Sequence, residues 1–139
     1  MRFESFFETD GDLIVVEVVV AGPRGADRAR LVLDTGAALT TVIPPIAEAI
    51  GYTAADRVAR SVVRSAAAQE RGYILRVERV AALGINLTDV HVNVAELGHD
   101  IDGLLGMSFL NEIKLDLRPA ERRIIAERIA ARQRPSDAR

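Results

Sequence analysis

Residues 31–44, LVLDTGAALTTVIP, place an aspartate, a threonine and a glycine directly after three aliphatic residues. Asp and Gly are common turn residues, so this triplet alone predicts only a turn after a strand. Both flanks of the triplet are apolar, however, whereas a solvated turn usually has polar neighbours. Burial of a carboxylate costs free energy unless the group is hydrogen-bonded or shares a proton. Asp34 is therefore a candidate functional residue as well as a turn residue.

The composition indicates one soluble globular domain. The chain has 139 residues, of which 49% are hydrophobic and 27% are charged, which is sufficient for one core. We expect a single domain over residues 1–139, with a core at about 12–125 and a tail at 126–139. The N-terminus is too acidic for a signal peptide, and no apolar run approaches roughly 18 residues. We therefore expect a cytoplasmic protein with no membrane partner.

Charge and cysteine content exclude several classes of function. The net charge is -2 and the pI is about 5.7, so no overall positive field indicates a nucleic-acid partner. The C-terminal arginines are interspersed with Glu121 and Glu127, which favours a solvated surface. The absence of cysteine excludes disulfides, thiolate metal sites and a cysteine nucleophile.

Strand-forming segments dominate the first half of the chain. Residues 12–22 are rich in β-branched side chains, and residues 29–36 form a second apolar run, so together they predict a hairpin. Residues 40–44, TTVIP, predict a third short strand that ends at the two prolines. Residues 45–52 then predict one or two helical turns, because Pro stands at the start and Gly near the end.

The second half continues the pattern. Residues 57–80 predict a long hairpin with its tip near residues 65–69, although the alanine run there is also compatible with a helix. The alternation of Val90, Val92 and Val94 predicts a strand, and residues 107–113 predict a short helix. The segment KLDLRPAERRIIAE predicts a strand, a Pro-containing turn and another strand. Residues 128–139 are expected to be a frayed tail, with an amphipathic helix over ERRIIAERIAAR as the alternative. The sum is one small all-β, barrel-like domain with one or two short helices.

Residues 31–44 resemble the active-site segment of retropepsin-like (retroviral-type) aspartic proteases, in which apolar residues precede Asp-Thr-Gly-Ala and a hydroxyl-rich apolar strand follows. A second match lies about seventy residues further on, at IDGLLGMSFLNEIKLDL. It resembles the family's paired aliphatic residues and glycine, followed by a short helix and a strand. The resemblance is closest to bacterial single-domain members and extends from about residue 12 to residue 125. It implies a small closed β-barrel with a flap hairpin, the single-lobe aspartic protease fold.

The resemblance implies a homodimeric aspartic endopeptidase that acts on a peptide or protein substrate and requires no cofactor or metal. Such enzymes use two carboxylates that share a proton, but this chain has one Asp-Thr-Gly. A second copy must then supply the other carboxylate across a two-fold axis. The resemblance implies a role for each residue of the motif. The Asp34 pair would activate water, Thr35 would hydrogen-bond across the axis, and Gly36 would lie close to the carboxylates and the substrate. Leu104, Leu105 and Gly106 match the segment that packs beneath the active-site loop.

The resemblance also implies which residues contact the substrate, and at these positions the chain departs from the retroviral pattern. Ala37 and Ala38 are expected to line the substrate, as are the alanines of the flap tip: Ala66, Ala67 and Ala68. Retroviral members have an acidic residue where this chain has Ala38, and an arginine where it has Met107. The flap tip of the family usually contains glycine, so an alanine tip implies an apolar lid with less conformational freedom. In retroviral homologues the chain ends of two subunits interleave to form one sheet. The ends of this chain, MRFESFF and ERRIIAERIAAR, are apolar enough for such a role.

Two other site types are weakly indicated. Histidines and carboxylates cluster at His91, Glu96, His99, Asp100 and Asp102, but such clusters are common by chance and these residues need not converge. The chain's serines do not occur in a Gly-x-Ser-x-Gly setting, which argues against a serine hydrolase at any of the three candidates: Ser61, Ser65 and Ser108.

Two hypotheses of function therefore remain. The intact Asp34-Thr35-Gly36 favours a homodimeric aspartic endopeptidase. The alanine flap and the missing ion pair favour a non-catalytic dimer of the same fold that binds peptides or proteins.

Overall fold

The computed structural model describes residues 1–64, 69–98 and 100–129. Within these ranges the chain forms eleven strands, two short α-helices and two 3₁₀ turns. The strands and α-helices are β1 (Arg2–Phe6), β2 (Glu8–Asp10), β3 (Leu13–Gly22), β4 (Gly25–Leu33), β5 (Thr40–Val42), α1 (Pro44–Ala49), β6 (Ala59–Arg64), β7 (Gln69–Ala82), β8 (Ile85–Val94), β9 (Gly103–Leu105), α2 (Met107–Leu110), β10 (Ile113–Arg118) and β11 (Arg123–Arg128).

Six strands close into a ring, which confirms the all-β prediction. Along the main sheet the order is β3-β4-β9-β5-β8-β7, and β7 pairs back onto β3 through residues such as Val20 and Val80. Alternate residues of these strands point inward, so that Val18, Val20 and Leu31 are almost fully buried. Closure satisfies the backbone groups that open sheet edges would otherwise expose.

A short strand that the sequence pattern did not reveal lies in the ring between β4 and β5. Residues 103–105, in β9, pair in parallel with Leu31–Leu33 and antiparallel with Thr41 and Val42. Three residues give too little periodicity to predict a strand. Their pairing depends on contacts with segments some seventy residues away, so it is decided by tertiary structure.

The long hairpin predicted at residues 57–80 is formed by β6 and β7. Its tip, including Ala66, Ala67 and Ala68, lies outside the described residues. Strand β7 pairs with β8 on one edge, and on the other edge first with β6 and then with β3. Between those two partners, the backbone N–H of Glu78 donates instead to the hydroxyl of buried Tyr52, at 3.1 Å. The loop after α1 thus fills the gap in the sheet edge.

The two chain ends pair within one chain. The terminal sheet has the order β1-β11-β10, and β1 pairs antiparallel with β11 along its length. We expected these ends to suit an intersubunit sheet, but each already has its partner in the same chain. Strand β11 continues past residue 125 to Arg128, so the helical alternative for ERRIIAERIAAR is wrong as far as that residue. Residues 130–139 lie outside the described residues.

The short helix predicted at residues 107–113 is formed by Met107–Leu110. It places Phe109 in the core, where this ring joins the fully buried side chains of Leu31, Leu105 and Ile124. Burial of an aromatic side chain of this size contributes about 2–3 kcal/mol. The helix is thereby anchored beside β9, immediately behind the Asp34 segment.

Candidate active site

Asp34 lies directly after β4 and begins a tight turn. Its backbone N–H donates to the carbonyl of Leu105 at 3.0 Å, which extends the contact between β4 and β9. The N–H of Gly36 donates to Asp34 Oδ1 at 2.9 Å, and the N–H of Ala37 donates to the Asp34 carbonyl at 3.2 Å. The carboxylate therefore stabilises the turn that presents it. Asp34 is therefore both a turn residue and a candidate functional residue, because the turn is also the candidate site.

The loop of residues 34–39, here the active-site loop, is held from behind by the start of α2. The N–H of Met107 donates to the Ala37 carbonyl at 2.7 Å. The N–H of Gly106 donates to Thr40 Oγ1 at 3.1 Å, and the N–H of Thr40 donates to Ser108 Oγ at 2.9 Å. Because Thr40 is fully buried, the hydrogen bond from Gly106 is shielded from water, whereas the one to half-buried Ser108 is partly shielded.

Sequence reasoning missed the role of Thr40 and considered Ser108 only as a possible nucleophile. The available signal was a hydroxyl pair, Thr40-Thr41, inside an otherwise apolar strand. A buried hydroxyl needs a hydrogen-bond partner, so two adjacent ones indicate a specific contact.

Two glycines of the second motif are required by close packing against this loop. A Cβ atom at Gly103 would lie 1.9 Å from the carbonyl oxygen of Thr41. A Cβ atom at Gly106 would lie 2.6 Å from the carbonyl oxygen of Leu39 and 2.8 Å from that of Ala37. Glycine at both positions lets β9 and the start of α2 approach the loop backbone.

The tip of the active-site loop faces solvent in the single chain. Thr35, Gly36 and Ala38 are exposed, and Asp34 and Ala37 are half-buried. The sequence flanks indicated a buried carboxylate, but one chain alone does not bury Asp34. The structure brings residues 34–38 together on one surface, and the three expected flap alanines, Ala66, Ala67 and Ala68, lie outside the described residues.

A groove of about 570 Å³ lies beside this surface. Ala38 and Met107, the two positions where the retroviral ion pair is replaced, both line it. His91 and Arg128 also reach the groove, which gives it polar as well as apolar walls. The two apolar residues that replace the retroviral ion pair therefore lie at the same groove.

The carboxylates weighed as metal ligands have other contacts or are dispersed. Asp102 accepts the backbone N–H of Arg30 through Oδ2 at 2.9 Å, and its carbonyl accepts the N–H of Ile43 at 3.0 Å. His91 is exposed on β8, and His99 lies outside the described residues. Among the residues that the structure describes, no three His, Asp or Glu side chains are arranged to hold a metal ion.

Comparison with known proteins identifies the family of this chain. A sequence model described as aspartyl protease matches residues 16–109, which include both the active-site loop and Gly106. The chain belongs to the aspartyl protease family. No curated protein matches it.

The fold of this aspartyl protease family member is retropepsin-like. Its structure is similar to the crystal structure of a retropepsin-like aspartic protease from Rickettsia conorii, with a TM-score of 0.67. The two sequences are 18% identical, and the match covers 88% of this chain and 97% of the other. Within the described ranges, neither helix has the length and apolar character needed to cross a bilayer.

Proposed function

We propose that this protein is a homodimeric aspartic endopeptidase whose active site contains Asp34 from each of two subunits. The observation that supports this most is the active-site loop. It combines a half-exposed carboxylate, an exposed Thr35-Gly36 and a backbone fixed from behind by Gly106, Met107 and buried Thr40. A loop fixed in this way holds a reacting group in position, which is a prerequisite for catalysis.

The chemistry requires two carboxylates in different protonation states. Two like charges roughly 3 Å apart do not both ionise near neutral pH, so a close pair holds one proton. In the proposed reaction the ionised Asp34 accepts a proton from water, and the water oxygen attacks the scissile carbonyl carbon. The protonated Asp34 of the other subunit donates its proton to the carbonyl oxygen. As the tetrahedral intermediate collapses, the Asp34 that took the proton from water donates it to the nitrogen and the C–N bond breaks, which releases the amine. One hydroxyl of the intermediate returns its proton to the other Asp34 as the carbonyl reforms, so the products are a carboxylic acid and an amine and the pair again holds one proton.

The second copy is needed because the sequence contains a single Asp-Thr-Gly. The exposed tip of the active-site loop is the surface on which the two-fold axis would pass. Thr35 would hydrogen-bond to the partner's loop, and Gly36 would allow the two backbones to approach. Burial of this tip would also supply the apolar surroundings that the flanks of Asp34 indicate.

The substrate in this proposal is an extended peptide held between the active-site loops and the flap hairpin. Ala37 and Ala38 would contact it from the loop, and Ala66, Ala67 and Ala68 would contact it from the flap. Small side chains on both sides would leave room for bulky substrate residues.

The decisive experiment compares the wild-type protein with Asp34→Asn on a diverse peptide library at mildly acidic pH. We expect wild-type cleavage and a loss of at least about a thousand-fold in the variant, because Asn cannot exchange the proton. Asp12→Asn, at an exposed turn carboxylate, is the matched control and should retain activity. Equal cleavage by wild type and Asp34→Asn would show that another group, or a contaminant, is responsible.

A mixing experiment tests the shared dyad directly. Equal amounts of wild type and Asp34→Asn, allowed to exchange subunits, should form mixed dimers with one Asp34. Because only wild-type pairs are active, activity per wild-type chain should fall to about half of its unmixed value. Activity that is unaffected by an excess of exchanging variant would exclude a dyad built from two subunits.

A non-catalytic dimer that binds peptides is the second candidate. The specific observation in its favour is that Ala38 and Met107 leave the groove beside the loop without the retroviral ion pair. Binding of library peptides by a verified dimer, with no cleavage by wild type, would favour this function over the enzyme.

A further inference from the structure

The flap hairpin separates from the barrel at Gly72. From Tyr73 onward, β7 pairs with β8, beginning at the pair Tyr73–Val94. Gln69–Gly72 have their described pairing with β6, on the other edge of β7. Gly72 is therefore the boundary between the projecting part of the hairpin and the part built into the ring.

A partly buried side-chain hydrogen bond lies at this boundary. Ser61, in β6, is the cross-strand partner of Gly72. Its hydroxyl donates to Oδ1 of Asn93, which lies in β8 and is only 3% exposed. Among the described residues, buried polar side chains are few, and Asn93 is the one that lies under the hairpin. Such a group is stabilised only when it has a partner.

The absence of a side chain at Gly72 makes this contact possible. A Cβ atom there would lie 2.4 Å from the carbonyl oxygen of Val94 and 2.9 Å from Ser61 Oγ. The hairpin thus approaches β8 closely enough for the short Ser61 side chain to reach Asn93. A larger residue at position 72 would lift the hairpin away from β8.

The same contact connects the hairpin to the strands that fix the active-site loop. Asn93 is in register with Thr41 of β5. The neighbouring Thr40 accepts the N–H of Gly106 behind the loop. The base of the hairpin is therefore connected to the active-site loop through Asn93 and the adjacent residues Thr41 and Thr40 of β5.

We propose that Ser61 and Asn93 are positioning residues that clamp the flap hairpin at Gly72 and set its distance from the Asp34 loop. The effect on turnover rests on the proposed peptidase function, whereas the clamp itself does not. Neither residue is placed against the substrate or the reacting atoms. Loss of the clamp should weaken substrate retention more than the chemical step, since flap closure governs retention.

The kinetic test uses Ser61→Ala, which removes the hydroxyl and leaves the volume of the site almost unchanged. We expect KM to rise about five-fold and kcat to change less than about two-fold. Ser61→Thr, which keeps a hydroxyl, should restore KM to within about two-fold of wild type. Ser5→Ala, the same change at a half-buried serine in the terminal sheet, should leave both constants unaltered. Unchanged KM in Ser61→Ala, or an equal change in Ser5→Ala, would overturn the role in substrate retention.

A second measurement does not depend on activity. Hydrogen exchange of the wild-type and Ser61→Ala proteins should show about ten-fold faster exchange at the backbone amides of β6 and residues 69–72. The amides of β3 should be unaffected, and Ser61→Thr should reverse the change. Exchange that is unchanged at the hairpin, or accelerated equally in β3, would overturn the clamp. If wild type cleaves no peptide, the proposed peptidase function fails while this measurement still decides the clamp.

Discussion

Behind the active-site loop, hydrogen bonds join backbone groups to the hydroxyls of Thr40 and Ser108, whereas on the outer face of the terminal sheet charged side chains form partly exposed ion pairs. Gly106 N–H reaches buried Thr40, and a Cβ atom at Gly106 would collide with backbone oxygens. In the terminal sheet, Arg118 pairs with Asp116 at 3.1 Å, and both side chains are about half exposed. At buried Thr40 and Gly106, water cannot replace a lost hydrogen-bond partner and there is no space for an added atom, but at the surface water can replace a lost partner. The two regions should therefore differ greatly in their tolerance of substitution.

The largest effect is expected for Gly106→Ala. Its backbone is in an extended conformation that alanine adopts readily, so the cost comes from the clash with the carbonyl oxygens of Leu39 and Ala37. We expect a loss of about 3–5 kcal/mol in the free energy of unfolding, measured by urea denaturation. The control is Gly11→Ala, where φ is +58° but no atom lies within 4 Å. That change should cost only about 1 kcal/mol. Equal losses at the two positions would remove the distinction based on close packing.

A smaller effect is expected for Thr40→Val, which keeps the shape of the side chain and removes its hydroxyl. The N–H of Gly106 would then be buried without this acceptor, at a cost of about 1–3 kcal/mol. Thr41→Val is the matched variant, because Thr41 is also buried but its hydroxyl makes only a long contact of 3.4 Å. Thermal unfolding of both variants should rank Thr40→Val as the less stable. The reverse order would mean that the contact behind the loop contributes little.

Tyr52 provides a test that depends on pH and lies outside both regions. Burial raises the pKa of its hydroxyl above the ordinary value of 10.0, and the hydrogen bond that the hydroxyl accepts from the N–H of Glu78 opposes part of that rise. Because the folded state holds this proton more tightly than the unfolded state does, stability is fully present below about pH 10 and falls as pH rises through the folded pKa.

The matched variant is Tyr52→Phe, which should cost about 1 kcal/mol at neutral pH because the N–H of Glu78 loses its acceptor. Urea midpoints measured from pH 8 to 11 should fall less steeply in Tyr52→Phe than in wild type. Parallel curves would show that Tyr52 does not supply the dependence.

The smallest effect is expected in the terminal sheet, for Glu4→Gln. Glu4 pairs with Arg123, which also pairs with Glu121 at 2.9 Å, so one partner remains after the change. We expect a loss of less than about 1 kcal/mol, diminishing further in high salt. A loss comparable to that of Thr40→Val would show that the two regions do not differ as proposed.

The sequence by itself determined most of the long strands, the Asp34 motif and the family. Strand content follows from β-branched periodicity in segments such as β3 and β8, which reflects the local geometry of the backbone. The Asp34 motif and the glycine motif are recognisable because a tight turn and close backbone approach permit few residue types. These constraints act on single residues, so they can be read along the chain.

Tertiary structure alone decided the partners of those residues. The strand at Gly103–Leu105, the reciprocal contact between Thr40 and the start of α2, and the pairing of β1 with β11 all join distant parts of the chain. The half-exposure of Asp34 was also misjudged, because apolar neighbours in sequence do not determine which surface a turn faces. Pairing and exposure depend on how the ring closes, and many distant pairings are compatible with the same local pattern.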